Sequence, residues 1–596
     1  MAQQVEYVYS PLNVEQMQIR MIELQAGHYE DPLRASVQII SLVEGAEYET
    51  ISYVWGDPLK SSDLQISGVR LVVPINTDLA LRRVRHQDTV RRLWIDSICI
   101  NQKDIHERGQ QVSLMGSVYG HSMGNLIHLT DDDDMGERIL QMAHQVEQEA
   151  RAETNDFEDW GSMLWNEAGG ARYDVQEERE DLDTEAMWFL MRLPWFRRLW
   201  ILQEAAVSPS NICYLGRISC PLQLLLRAIR WLDYTSQTSY PQSPADLAGR
   251  DCITSLFDLT DHDLGLFALM GEEGPEFSNL LGTATQLERS EPIDGVFAVL
   301  GMLSTPPEDI VPDYTTPVQV ILRKATRHIL RQRNDLQALS LVSHGAVTIE
   351  GCSWACPFDQ VFNNNKDPEV LDLRFAASTG LGNPTKLAGD PLAPETVVLE
   401  GLIVEEVRAT STVCSSSILS DLSAFHSWVF DAVGVLRRPM RMFGGTRQGA
   451  NLGALTDIAL ALTVDRNRAA DIAQADDIAA VTAYLYTLVE SPTEDLREAN
   501  GVYDVFEEAE THFHPSIALN RRLFHTASGR HGLGPQAMRL GDIVAVLRGG
   551  RTLFVLRPLG EEFQLVGEAY VNGMMDGEAV YEAHARGIAE GIFIVR

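Results

Sequence analysis

The chain has 596 residues, 45% hydrophobic and 22% charged, with a formal net charge of −36. That length predicts two to four domains with ample chain for a large core, and the composition is that of an ordinary soluble globular protein. The negative balance excludes a protein that tracks a phosphate backbone, although a local basic patch could still hold a single phosphate group.

The opening residues, MAQQVEYVYSPL, carry neither a basic region nor an apolar core, so they do not read as a signal peptide. No apolar run is long enough to span a bilayer. Seven cysteines are too sparse for a disulfide framework and fit reduced thiols, which predicts a cytoplasmic protein. Cys352 and Cys356 lack a second pair to complete a zinc site, and His512 and His514 stand isolated, so no metal is expected.

To about Ser36 the chain reads as an extended lead-in with a short strand. SVQIISLV (36–43) and YETISYVW (48–55) read as strands, the second ended by Gly56-Asp57-Pro58. Residues 64–74 predict a hairpin about Ser67-Gly68, and a helix begins at Leu79. The chain is organised around the stretch from Arg92 to Tyr119. Leu93 to Ile100 reads as a buried strand interrupted by one acid, Asp96. Asn101-Gln102-Lys103 closes it. Asp104 stands at a helix N-cap with Glu107 three residues on, and Ile105, Val112, Met115 and Tyr119 give that helix a core face. Polar residues gathered at a strand's carboxyl end mark the place where open α/β sheets hold ligands.

NLIHLT (125–130) predicts the next strand. An acidic insertion from about 131 to 187 comes after it, with one helix over 137–150, and is expected to be solvated. PWFRRLWILQEAAV (194–207) predicts a helix entered through Pro194, and 215–232 a second. Residues 235–251 read as a linker. Further helices are expected over 294–303 and 318–333, a small strand pair over 340–354, and a boundary over 363–394. Helices then cover 422–435, 455–463 and 478–488. From Arg522 short apolar strands with glycine turns predict a small barrel or curled sheet.

Three blocks now carry a resemblance. SYVWGD (52–57), LWIDSICINQKDIHER (93–108) and PWFRRLWILQE (194–204) resemble, in order, the blocks of the fungal heterokaryon incompatibility (HET) domain. DGVFAVLGM with VPDY after it resembles the segment beyond that domain. FHTASGRHGLGPQAMRLGDIVAVLRGG with LVGEAYVNGMMDGE resembles the family's C-terminal module. Where members commonly carry Ala, Val and Trp-Leu-Gly after the helix tyrosine, this chain has Ser122, Asn125, His128 and Thr130, a more polar strand.

HET domains resemble TIR domains. Ser52-Tyr53 ending a first strand, Leu93 to Asp96 as a second, and Trp200 one turn before Glu204 fit that comparison. The resemblance implies an α/β fold with a TIR-like (flavodoxin-like) N-terminal HET domain over 1–216. Beyond it lie a largely helical middle region (217–362), a linker and helical region (363–521) and a β-rich C-terminal module (522–596). The resemblance also implies a part in non-self recognition and regulated cell death, with self-association, an unknown protein partner, no cofactor, and NAD as substrate.

An oxocarbenium-like state at the nicotinamide–ribose bond calls for a carboxylate nearby, and Glu204 is the candidate. The alternative is a structural ion pair with Arg197 or Arg198. Asp96 either lines the nucleotide site or accepts backbone N–H groups from the 52–57 turn. Trp55, Gly56 and Asp57 either contact ribose or phosphate or form a simple turn. Asn101, Gln102, Arg108 and Trp200 complete the candidate nucleotide-binding set, with Trp200 stacking on a base or ribose or lying in the core. A non-enzymatic signalling module uses the same residues for fold alone.

Overall fold

The computed structural model describes residues 7–153, 182–235, 244–260, 275–345, 349, 351–360, 375–382, 384, 395–419, 422–436, 452–463, 475–490 and 515–596. It divides into two units, Met1–Ile321 with Phe358–Val361, and Leu322–Pro357 with Phe362–Arg596. His512, His514 and most of the expected boundary over 363–394 lie outside the described residues, as do residues 154–181 of the acidic stretch.

The first unit holds a nine-stranded sheet. Its strands are β1 (Gln18–Leu24), β2 (Arg34–Ser41), β3 (Glu49–Ser52), β4 (Ser61–Ile66), β5 (Val69–Pro74), β6 (Arg91–Trp94), β7 (Asn125–Thr130), β8 (Asn211–Leu215) and β9 (Ile218–Pro221). Their spatial order is β5-β4-β2-β1-β6-β3-β7-β8-β9. The central four, β6-β3-β7-β8, run parallel. Ile51, Leu93, Trp94, Leu126, Ile127, Cys213 and Leu215 on these strands are buried, the apolar run that a sheet covered on both faces requires. In chain order the first parallel strand, β3, lies between the second, β6, and the third, β7. The strand order therefore reverses at β3, the place where such sheets open a crevice at their carboxyl ends.

Six helices frame this edge: α1 (Ile75–Val84), α2 (Asp96–Cys99), α3 (Ile105–Gly120), α4 (Asp133–Glu153), α5 (Thr184–Arg192) and α6 (Ile201–Ala206). Asp104 caps α3 as expected, accepting N–H bonds from His106 at 3.0 Å and Glu107 at 3.1 Å. Glu107 does not complete a capping box. Its carboxylate grips buried Arg20 at 2.6 and 2.9 Å and accepts the Asn101 N–H at 2.7 Å. Arg20 also donates to the Cys99 carbonyl at 3.0 Å, so the pair ties β1 to the loop before α3.

Four expectations are corrected. The strand expected over 93–100 ends at Trp94. Asp96 accepts the Ser97 N–H at 2.7 Å, Cys99 N–H turns back to the Ile95 carbonyl at 2.8 Å, and one helical turn results. The helix expected over 194–207 is broken. Pro194–Arg197 is a 3₁₀ turn, Arg198 is extended, and α6 starts at Ile201. The break has a cause: Glu288 N–H donates to the Arg197 carbonyl at 2.6 Å, and the Glu288 carbonyl accepts the Leu199 N–H at 2.9 Å, drawing the backbone out of helical register. The helix expected from 215 opens instead as the β8–β9 hairpin. Its Gly216-Arg217 loop has Gly216 at φ +60°, and the helix begins only at Leu222. The strand pair expected over 340–354 is a 3₁₀ turn, Gln337–Leu341, with one bridge from Ser343 to Gly567.

The second unit carries β10 (Val397–Thr410), β11 (Arg521–Thr526), β12 (His531–Pro535), β13 (Ile543–Leu547), β14 (Leu553–Leu559), β15 (Glu562–Val571) and β16 (Gly591–Val595). The order is β11-β12-β15-β14-β13-β10-β16, and β10 also pairs with β11, so the sheet closes into a barrel. Strand β10 falls in the stretch expected to be linker and helices. Register shifts at Ile403/Glu405 and Val407/Ala409 let it serve several neighbours. The expected helices form over Leu422–Leu436, Leu452–Thr463 and Ala475–Glu490. Their Phe425, Trp428, Leu455 and Ile458 share one core with Leu523, Phe524 and Leu533 of the barrel. Two ion pairs are buried: Arg557 meets both Asp542 oxygens at 2.9 Å, and Arg521 meets Glu568 at 2.8 Å.

Removing one partner of a buried pair leaves the other charge uncompensated. Glu107→Ala is expected to lower the stability of the first unit by about 3–5 kcal/mol, read as a fall in urea midpoint. An unchanged midpoint would refute the role given to Arg20–Glu107.

Candidate functional site

Strand β3 ends at Ser52, whose hydroxyl joins two other elements. Its oxygen accepts the indole N–H of Trp195 at 2.7 Å, and its O–H donates to Glu204 Oε2. The other Glu204 oxygen lies 3.9 Å from Arg198. Arg198 donates in turn to the Tyr53 carbonyl, a reach that its extended backbone permits. Glu204 is 3% exposed. The main chain of α6 is pinned beneath it: the Glu204 carbonyl accepts from Ser208 Oγ at 2.8 Å and Asn125 Nδ2 at 3.3 Å. Asn125 is itself held by Asn211 at 3.1 Å and Thr50 at 3.3 Å.

Beside β3, the carboxyl end of β6 delivers Asp96. Its Oδ2 accepts the Trp55 indole N–H at 2.8 Å, while Gln102 Nε2 donates to its main-chain carbonyl at 3.1 Å. The Tyr53 hydroxyl meets Thr77 at 2.8 Å, and Thr77 meets Ser97 at 3.1 Å. One edge of the sheet thus gathers two carboxylates, a serine, two tryptophan N–H groups and one guanidinium.

Burial dominates the electrostatics. It raises the Glu204 pKa above the ordinary carboxylate value; Arg198 and the Ser52 bond oppose the rise, and the charge of Asp96 adds to it. Burial also raises Asp96, opposed by Arg198, Trp55 and the Ser97 N–H. Tyr119 is pushed far above its usual range by burial, with Glu204 and Asp96 adding to the effect. Arg198 is the cation that both acids face. A buried carboxyl facing a guanidinium can exchange a proton and can stabilise a developing positive charge.

The other predicted residues are placed differently. Trp200 does not join this cluster: its indole N–H donates to Asp294 Oδ2 at 3.1 Å. Tyr314 donates to Asp294 Oδ1 at 2.8 Å, and Arg108 lies 3.9 Å above the Tyr314 ring and 3.5 Å from Glu291. Trp200 and Arg108 therefore belong to a second polar cluster, closed by the tyrosine of VPDY. Asp57 is exposed and accepts the Leu59 N–H at 2.9 Å, a turn contact. Gly56 has φ +79°, and a Cβ there would sit 2.6 Å from Asn76 Nδ2. Asn101 organises the loop through Glu107 and through Lys103, whose N–H its side chain accepts at 3.3 Å. Ser52, Trp195 and Asn125 were not singled out for the site from the sequence, although the first two lie inside the matching blocks. Among the described residues no group of three metal-ligating side chains forms.

The matching families bracket this geometry. The family model described as Heterokaryon incompatibility protein (HET) matches residues 48–204, from just before β3 to Glu204 itself. The Het-6 beta-barrel domain model matches residues 505–588, which take in most of the barrel strands. Residues 48–204 are thus a HET domain, and a Het-6 beta-barrel domain comes after it in the same chain. The chain is similar to Heterokaryon incompatibility protein 6, OR allele, of Neurospora crassa, 23% identical with 94% of each chain covered. No solved structure matches.

The second cluster makes a pH prediction. Burial pushes the Asp294 pKa from 3.8 up to about 6, against the bonds from Tyr314 and Trp200. Between those values the folded state binds the proton that the unfolded chain has released. Stability therefore falls as pH rises through that window and levels off above it, a change of about 3 kcal/mol. Asp294→Asn is expected to flatten that slope in denaturation series across pH 4–7.

Proposed function

We propose that this HET domain cleaves the nicotinamide–ribose bond of NAD, with Glu204 as the catalytic carboxylate, and that the activity serves non-self recognition and regulated cell death. The parallel strand order, second-first-third-fourth, is that of flavodoxin-like sheets and agrees with the TIR resemblance. The single observation that carries the reading is the buried Glu204 carboxyl, seated on Ser52 at the carboxyl end of β3.

As the bond breaks, its electron pair leaves with nicotinamide and positive charge grows on C1′ and the ring oxygen. Glu204 stabilises that charge. Water then adds to C1′, and its proton passes to the carboxylate. Burial raises the proton affinity of Glu204, Arg198 and the Ser52 bond lower it, and Asp96 adds to it. Self-association through the HET domain, a protein partner as trigger, and action in the cytoplasm belong to the same reading. Among the described residues no helix is long and apolar enough to cross a membrane.

A second reading, a non-enzymatic signalling module, is favoured by the ion pair: Arg198 lies 3.9 Å from Glu204 and also holds the Tyr53 carbonyl, as a structural tie between the turn before α6 and β3 would. Nicotinamide release by the purified full chain separates the two. The wild type is expected to release nicotinamide from NAD. Glu204→Gln is expected to lose about 100-fold or more of the rate, with its circular dichroism unchanged. Equal rates, or no release at protein concentrations that drive association, would favour the module.

A further inference from the structure

The Trp55 indole covers the acid cluster without being locked into it. It is 37% exposed, yet its one N–H points inward to Asp96 Oδ2 at 2.8 Å. At a half-open position water can replace Asp96 as the acceptor of the indole N–H, so this charge-assisted bond can be exchanged, at a cost that the ligand must offset. The acceptor is less free. Asp96 is partly buried, its Oδ1 is held by the Ser97 N–H, and its Oδ2 needs a donor whenever the indole moves away.

The place of Asp96 in the sheet says which donor fits. It lies two residues beyond Trp94, at the carboxyl end of the second parallel strand and beside the first. In the dinucleotide-binding form of the doubly wound sheet an acid downstream of the first βα turn accepts a ribose hydroxyl, and Asp96 stands in a comparable place at a strand's carboxyl end. We propose that Asp96 receives the vicinal diol of a ribose, and that the Trp55 N–H occupies that position until the ligand displaces it. This rests on the cluster being the ligand site argued above, and it adds the recognised group and the gate.

The gate can turn without disturbing β3. Asn76 Nδ2 donates to the Val54 carbonyl at 2.8 Å and lies close over Gly56, so the backbone before Trp55 is held while the side chain is half-open to solvent. Swinging the indole out leaves Asp96 Oδ2 free for a hydroxyl. Glu204 and Ser52 stand at the next strand end, where the anomeric carbon of the same sugar would lie.

The test is a binding measurement on the full chain by titration calorimetry. The probes are carbocyclic NAD, which keeps the diol and cannot be cleaved, and its 2′,3′-dideoxy counterpart. Trp55→Phe removes the competing N–H and keeps the ring, and is expected to bind the diol probe about tenfold more tightly. Asp96→Asn is expected to bind it about tenfold more weakly. In the double variant the gain from Trp55→Phe should vanish. The dideoxy probe should respond to neither change. If Asp96→Asn fails to fold, the comparison of the two probes on wild type and Trp55→Phe still decides. Equal affinity for both probes, an unchanged or weaker Trp55→Phe, or no binding at all would overturn the proposal. Diol-dependent binding without nicotinamide release would sink the hydrolase reading and keep this one; release without diol dependence would do the reverse.

Discussion

Glu204 is an acid that keeps only 3% of its surface exposed, and the carboxyl edge of the first unit is arranged around that fact. A buried carboxyl needs donors or a counter-charge, and it receives both from outside its own helix. Ser52 comes from the end of β3, oriented by Trp195. Arg198 comes from the broken turn before α6. That turn is broken by Glu288, which lies well beyond the segment that matches the HET model. Asp294 then accepts from both Trp200 and Tyr314, and the Tyr314 ring lies under Arg108. The signature blocks name the residues of the site, while the segment after them sets the geometry.

That division explains which parts were legible in the sequence. The strand at 125–130, the cap at Asp104 and the helix at 318–333 depend on local pattern and formed as expected. The break at Arg198 was not legible, because its cause is a main-chain partner remote in sequence. The early end of β6 was marked by Asp96 itself, an acid whose side chain satisfies the next N–H and so starts a turn. Strand β10 was missed because its sequence, VVLEGLIVEEVRAT, mixes glutamates into an apolar run that fits either period. Glu204 entered as a candidate through its spacing from Trp200 and Asp96 as the acid that interrupts an apolar run, and the structure brings both to one strand edge. Trp200 was drawn in by its spacing from Glu204, yet a spacing of four on a short helix does not fix where an indole N–H finds its acceptor.

The polar strand β7 has a physical account as well. Asn125 supports the main chain at Glu204, Ser122 closes the end of α3 on the Tyr119 carbonyl at 2.7 Å, and Thr130 accepts the Asp132 N–H at 3.1 Å. His128 lies 3.4 Å from Asp131, which Arg83 also engages at 2.8 Å. These side chains bind neighbouring segments together. The residues that set this chain apart from the usual family pattern therefore tie β7 and its flanks to α3, α6 and the start of α4.

The barrel of the second unit closes because β10 pairs with β13 on one side and with β16 and β11 on the other. A closed ring presents no row of unpaired N–H and C=O groups, so it gives a foreign strand nothing to copy. The nine-stranded sheet is open and ends on β5 and β9. At β5, Val72 is exposed, and Arg70 and Asp63 pair at 2.7 Å across the outer hairpin. Templated, fibre-like growth by strand addition is thus available to the first unit alone of the two sheets, and a pair of charges stands guard where it would begin.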